Sequence, residues 1–362
     1  MFTSKQIRVG FIGTGWSERT QIPQFRLGGL TAQAICSGHP ENAQRVAKNL
    51  GIPQVYEKWH DLIASNTVDL VSITTPPHLH AEIAIAALRA GKHVICEKPT
   101  ALTVAEAEAM LAAAQAAPGQ LAIIDHQLRF HPARLELRRL LKDGYIGSVL
   151  LINITVQNGA RLNPDTPWSW WNDAEKGGGM LGAVGSHMLD QGRWLVGRVD
   201  TLSAQLQTGH YYRKESATGS QRRVTADDHA QVMLRFANGA QGSVTVSSLT
   251  PGLACSETTL IGTQGALKLD SKDQLWGAQG SDFYKGNWQP LSTPPLAAAL
   301  ADQPQLNAFA IGSFYLAQAL AQALPQGEVV LPDAASFYDG LAVQWALDAA
   351  RKSHAEKTWV RL

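Results

Sequence analysis

The chain has 362 residues, 45% of them apolar and 17% charged, a globular composition that excludes disorder as the dominant state and fills two or three domains of roughly 150 residues. Lys plus Arg (31) and Asp plus Glu (30) nearly cancel, which leaves no basic stripe for a nucleic acid. Three scattered cysteines, Cys36, Cys96 and Cys255, speak against a disulfide framework or a structural zinc. No stretch approaches the ~18 continuous apolar residues of a membrane helix. The opening MFTSKQIRVGFIG runs into a strand pattern without a signal-peptide core, so a soluble cytoplasmic protein is expected.

In chain order, residues 7–12 form an apolar run that ends in Gly13-Thr14-Gly15, and 32–36 form a second. Residues 41–50 have helical spacing, with Ala43, Val46, Ala47 and Leu50 on one face. A buried-strand run over 68–74, an Ala-rich helix over 80–90 stopped by Gly91, and a strand over 93–96 follow. Thr103 and Glu106 predict a capping box for the next helix, and 121–124 is again apolar. Alternating strands and helices with short connections imply a doubly wound parallel sheet. Beyond residue 125 the pattern changes. A helix over 133–142 leads into strands over 149–157, 201–208, 228–236, 242–249, 257–262 and 266–270, with Asn238-Gly239 marking a hairpin. The segment 277–304 is rich in Gly, Pro and Ser and reads as loop. Two late helices, 306–324 and 334–353, are expected to cover this sheet, the second capped by Asp333. The fold class is therefore α/β: an N-terminal Rossmann domain over 1–125, then an α+β domain over 126–362 with a large open, mostly antiparallel sheet for substrate binding and oligomerisation.

Gly13 and Gly15, directly after a strand, let backbone amides approach a pyrophosphate closely, and Trp16 continues the loop. The third small residue of the usual pattern is replaced by Glu18, so the first helix must start differently or sit farther out. Where an NAD enzyme usually carries Asp or Glu at the second strand's end, this chain has Ser37-Gly38-His39. Ser37 can donate to a phosphate, with His39 and Arg45 as counter-ions, and NADP is favoured over NAD.

At the C-terminal strand edge, where ligands bind in open α/β sheets, lie Thr75-Pro76-Pro77-His78 with His80, and Glu97-Lys98-Pro99. Arg129-Phe130-x-Pro132, Gly177-Gly178-Gly179 and Gly185-Ser186-His187-x-x-Asp190 follow. This ordered set, spread over essentially the whole chain, resembles the Gfo/Idh/MocA oxidoreductase family, and within it the glucose–fructose oxidoreductase domain-containing subgroup. The resemblance implies reversible hydride transfer between a nicotinamide and a sugar or polyol carbon, with Lys98 contacting the substrate hydroxyl and His187 as acid/base. Oxidising an alcohol needs a proton acceptor and a cation beside the developing alkoxide, roles suited to these two side chains. The coenzyme set is Gly13, Gly15, Trp16, Ser37, His39, Arg45, Thr75, Pro76, His80, Glu97 and Lys98.

Substrate contacts are expected from Lys98, His187, Arg129, Trp168 and Trp171, with His126 and Asn172 as weaker candidates. Indole faces are platforms for sugar C–H surfaces. Tyr211-Tyr212-Arg213 and Arg222-Arg223 read as exposed loop. The family pattern places an Asp one turn before the histidine, where this chain has Ala183. That departure keeps open an alternative, a nicotinamide-binding sensor with little turnover. No metal motif and no G-x-S-x-G hydrolase motif occurs. The open sheet is expected to build a homodimer or homotetramer.

Overall fold

The structure, a computed structural model, describes residues 6–252, 254–303 and 306–362. The start of the N-terminal segment (1–5) and the Pro304 end of the expected loop lie outside these residues. Two compact units result: Met1–His131 with Leu296–Leu341, and Pro132–Pro295 with Ala342–Leu362. The chain changes unit after His131, rejoins the first unit at Leu296 and leaves it again after Leu341.

The first unit opens with β1 (Arg8–Ile12), a π-helical turn (Ser17–Gln21) and α1 (Ile22–Leu27). Then come β2 (Thr31–Cys36), α2 (Pro40–Leu50), β3 (Gln54–Tyr56), α3 (Trp59–Ala64), β4 (Leu70–Ile73), α4 (His80–Arg89), β5 (His93–Cys96), α5 (Val104–Gln115) and β6 (Ala122–Ile124). The strands pair in parallel in the order β6-β5-β4-β1-β2-β3. Their continuous apolar character follows from cover on both faces, and every residue of β4 is buried. β3 and α3, only three and six residues long, are too short to announce themselves by periodicity. The predicted capping box is present: Glu106 N donates to Thr103 Oγ1 at 3.2 Å and Thr103 N to Glu106 Oε2 at 3.1 Å.

The second unit contains α6 (Pro132–Lys142), β7 (Val149–Gln157), α7 (Ser186–Val196), β8 (Val199–Gln207), β9 (Tyr212–Lys214), β10 (Gln221–Arg223), β11 (His229–Phe236), β12 (Gln241–Ser247), β13 (Cys255–Gly262), β14 (Gly265–Leu269), β15 (Leu275–Gln279), α8 (Gly280–Lys285) and β16 (Gln289–Pro290). The chain then supplies α9 (Ala308–Ala323), β17 (Ala335–Ser336), α10 (Phe337–Glu356) and β18 (Val360–Arg361). The nine-stranded sheet runs β16-β15-β14-β13-β7-β12-β11-β8-β18, antiparallel except for the central β7–β12 pair. Alternate residues of β11 are buried, and α7 lies on that face. A Cβ at Gly192 would meet Phe236, Ile154 and Leu234 at 3.7–4.0 Å.

Four expectations are corrected. The segment from 277 is not loop throughout, since it holds the end of β15, α8 and β16. α9 does not cover the large sheet: Leu316, Ala317 and Leu320 share the first unit's core with Ile22 and Phe25, and β17 pairs antiparallel with β6. Periodicity shows that a face is buried, not what buries it. Asp333 sits at φ +66° and is no cap; Asp339 N donates to Ser336 Oγ at 3.2 Å and Ser336 N to Asp339 Oδ2 at 3.0 Å, which opens α10. Tyr212, Arg213, Arg222 and Arg223 form the β9–β10 hairpin rather than loop. Arg213 is 1% exposed, its guanidinium donating to Asn163 O (2.8 Å), Thr166 O (3.2 Å) and Arg161 O (2.7 Å). These three carbonyls offset the cost of burying the cation through its two terminal nitrogens, while its Nε makes no hydrogen bond.

Candidate active site

The glycine loop is built for a close ligand. Gly13 holds φ +113° and its N donates to Cys36 O at 2.8 Å. A Cβ there would lie 2.5 Å from Thr74 O, whereas one at Gly15 would meet nothing within 4 Å. The missing Gly15 side chain therefore leaves open space against exposed backbone. Trp16 Nε1 and Thr75 Oγ1 are buried and make no hydrogen bond, a fit for a ligand that brings its own acceptors. After Gly15 the chain enters the π-helical turn and only then α1, whose second residue, Pro23, has no N–H to give to a preceding helical turn. This is the different helix start that Glu18 predicts.

At the end of β2 the phosphate-binding candidates are already matched. Arg45 Nη1 and Nη2 donate to Glu18 Oε1 and Oε2 at 2.5 and 2.8 Å. His39 Nδ1 lies 3.5 Å from Glu41 Oε1, and Ser37 Oγ accepts His39 N at 3.2 Å. Arg45 is thus no free counter-ion. The residue that replaces the third small position neutralises it, a pairing that loop spacing does not reveal.

Lys98, half-buried, follows β5 at the C-terminal sheet edge with a cis bond to Pro99. Its backbone is held on both sides. Lys98 N donates to Glu97 Oε2 at 3.3 Å, and Pro99 O lies 2.9 Å from His80 Nδ1. His80 Nε2 is 2.9 Å from Thr75 O, so this fully buried ring sits between the Thr75-Pro76 and Lys98-Pro99 turns and, when neutral, donates its one N–H to one of the two carbonyls. Burial pushes its pKa down to about 4. His80 and Glu97, both expected at the coenzyme, are buried and bonded within the protein. Glu97 joins Gln21, Ser72 and Asp125, three residues to which no motif assigns a role: Gln21 Nε2 donates to Glu97 Oε1 (3.1 Å) and Asp125 Oδ2 (2.6 Å), and Ser72 Oγ to Gln21 Oε1 (2.6 Å). Arg129, expected at the substrate, is also buried, with its guanidinium 3.5 Å from Asp339 Oδ1 and from Ala334 O.

In the second unit His187 is buried in the first turn of α7, which continues a π-helical turn over Leu181–Gly185. Ala183 lies in that turn. Asp227, which no motif assigns a role, holds the start of this helical run: its Oδ2 accepts Leu181 N at 2.7 Å and its carbonyl Met180 N at 2.9 Å. The glycine triplet is explained by close approach. A Cβ at Gly178 would lie 2.2 Å from Trp171 O, and Gly179 takes φ +106° with Asp227 Oδ1 2.4 Å from its would-be Cβ. Trp168 has one ring face covered by the Arg222 guanidinium at 3.5 Å, and its Nε1 donates to Arg223 O. Trp171 keeps a buried Nε1 that makes no hydrogen bond, so it is the better substrate candidate of the two. Asn172 is buried and accepts Ser169 N on Oδ1, a structural role.

Burial raises the Asp227 pKa to about 6, against a partial offset from the Leu181 N–H. A carboxyl raised in the folded state binds its proton more tightly than in the unfolded chain, so its stabilising contribution is present at pH 4 and lost as pH rises through 6. Asp227→Asn keeps an oxygen for Leu181 N and removes the charge. Denaturant titrations are expected to show the variant gaining on the parent by on the order of 2–3 kcal/mol between pH 4 and pH 8; a difference that does not change with pH refutes this.

Among the described residues no three His, Cys, Asp or Glu groups cluster to hold a metal, and no helix is long and apolar enough to cross a membrane. Comparison with known proteins gives a consistent answer. Residues 7–124 match the family described as "Oxidoreductase family, NAD-binding Rossmann fold", and 135–268 match the GFO/IDH/MocA C-terminal domain. The chain is 31% identical to glucose-fructose oxidoreductase domain-containing protein 2 of Homo sapiens, covering 97% of this chain and 92% of that one. It is also 31% identical to levoglucosan dehydrogenase of Pseudarthrobacter phenanthrenivorans, over 91% and 88%. A solved levoglucosan dehydrogenase complexed with NADH and L-sorbose superposes with a TM-score of 0.89 at 29% identity, covering 98% of each chain. An NAD-binding oxidoreductase from Klebsiella pneumoniae superposes at 0.86 and 27%, over 99% of each. With a glycine cradle, a strapped lysine at the sheet edge and both family domains in order, the chain belongs to the Gfo/Idh/MocA oxidoreductase family.

Proposed function

We propose that the protein is an NAD(H)-dependent oxidoreductase acting on a CH–OH group of a sugar or related polyol, with Lys98 and His187 as its reacting side chains. The observation that carries this is Lys98, fixed through Glu97 and His80 beside a glycine loop whose neighbours Trp16 and Thr75 keep buried polar atoms without partners. The NADH and sugar complexes of the levoglucosan dehydrogenase support it. Gly13, Gly15, Trp16 and Thr75 would hold the dinucleotide, and the bound nicotinamide supplies the hydride acceptor. The Lys98 ammonium stabilises the alkoxide as the hydroxyl proton leaves, and the His187 imidazole takes that proton.

The test is reduction of NAD by a panel of sugars and cyclitols that includes levoglucosan and L-sorbose, followed at the absorbance of the reduced coenzyme. Sugar-dependent reduction is expected. Tight coenzyme binding with no turnover across the panel would favour the sensor reading, which Ala183 motivates.

NAD rather than NADP is proposed because Glu18 occupies Arg45 and Glu41 accompanies His39, so a 2′-phosphate meets carboxylates where it needs cations. Glu18→Gln frees Arg45 and should raise NADPH affinity relative to NADH by about tenfold, on the scale of one charged contact; an unchanged ratio in fluorescence titrations removes Arg45 from coenzyme choice. The outer face of the nine-stranded sheet, with Leu151 and Met233 exposed, is proposed as a self-association surface. Light scattering should report a dimer or tetramer at micromolar concentration, and a monomer would contradict it.

A further inference from the structure

Beneath Lys98 the first unit encloses two carboxyl groups that the proposed chemistry does not use. Glu97 precedes Lys98 and Asp125 follows β6. Both are buried, and one nitrogen, Gln21 Nε2, lies 3.1 Å from Glu97 Oε1 and 2.6 Å from Asp125 Oδ2, which holds the two carboxyl groups side by side while Asp125 Oδ1 makes no hydrogen bond. Two carboxylates have no proton to share, and like charges in contact away from water are strongly disfavoured. One of the two acids therefore keeps its own proton. Gln21 cannot provide it: its carbonyl accepts the Ser72 hydroxyl, which turns both Nε2 hydrogens outward, one to each acid.

The surroundings fix the net charge. Burial and the mutual repulsion of the pair raise Glu97 well above the usual carboxylate range, and burial raises Asp125. The ionisable groups facing them are the Lys98 ammonium, which acts on both, and the Cys96 thiol, which burial and the two acids keep neutral. Gln21, from the π-helical turn after the glycine loop, and Ser72, from β4, are uncharged. One negative charge therefore stands against one ammonium.

We infer that Glu97 and Asp125 form a one-proton carboxyl pair, clamped by Gln21, that positions Lys98 by accepting its backbone N–H and supplies the single negative charge beside its ammonium. The clamp also joins the glycine loop to the lysine, since Gln21 ends the turn that begins two residues after Gly15. The kinetic consequence rests on the proposed role of Lys98, whereas the protonation state of the pair does not.

Infrared spectroscopy of the full chain at pH 7 tests it first. A buried protonated carboxyl should give a C=O stretch above the amide band that is lost in Asp125→Asn and in Glu97→Gln, because each leaves one acid free to ionise. Absence of the band in the parent, or its survival in both variants, overturns the pair. Two variants guard against one failing to fold, and circular dichroism checks each. The second arm is hydride transfer: each single variant keeps one carboxylate and should lower kcat less than about tenfold, while the double variant keeps none and should lower it about a hundredfold or more, with the coenzyme KM within about threefold. A double variant no worse than the singles overturns the positioning role. If no sugar is turned over, the proposed function fails, and the infrared band still decides the pair.

Discussion

Lys98→Ala is expected to lower kcat by about 10²–10⁴-fold while NADH still binds, because it removes the cation at the developing alkoxide and leaves the glycine loop intact. The lysine's backbone does not depend on its own side chain: Glu97 holds its N–H, and the His80 ring packs 2.9 Å from the following carbonyl. Loss of the ammonium should therefore appear in kcat rather than in stability. Lys98→Arg tests the geometry, since a guanidinium keeps the charge but not the point-like ammonium, and should recover less than a tenth of parent activity. Steady-state kinetics with whichever sugar is turned over, together with NADH titration, provides both readouts. Retained turnover in Lys98→Ala would remove the lysine from the reaction.

Gly13→Ala is expected to abolish measurable NADH binding and to destabilise the first unit by about 2–3 kcal/mol, the order of cost for a side chain forced into a positive-φ conformation. The residue combines φ +113° with a would-be Cβ 2.5 Å from the Thr74 carbonyl oxygen. That oxygen belongs to the strand-edge backbone, not to a flexible tip, so the alanine can be placed only by moving the end of β4. Gly15→Ala is the control. Its Cβ would meet no protein atom within 4 Å, so it should leave stability nearly unchanged and weaken coenzyme binding alone. Denaturant unfolding and NADH titration separate the two effects; a Gly13→Ala protein with parent stability and parent affinity would refute the close-approach role of the loop.

Some of this site was legible and some was not. Gly13, Gly15, Lys98 and His187 follow from motifs whose residue types the chemistry itself requires. Glu97 and His80 belong to the same motifs, and what the motifs do not reveal is that their buried side chains also contact the protein's own backbone. Trp168 shows a different limit: an indole face suits a sugar, and the sequence does not reveal that the Arg222 guanidinium covers one of its two faces. Nothing in the sequence assigns a role to Gln21, Ser72, Asp125 or Asp227, since each matters through a partner distant in sequence, 51 to 104 residues away for the first three and 46 for the last.

Local sequence determined the longer strands and most helices of both units, the capping box at Thr103 and the hairpin at Asn238-Gly239, because backbone conformation and the period of burial are set by neighbours along the chain. Only the tertiary structure decided that α9 joins the first unit's core, that Arg45 is paired with Glu18, and that two acids meet under the lysine. Those outcomes depend on which surfaces pack together and which charges lose their water, and both are settled by segments that meet only when the chain has folded.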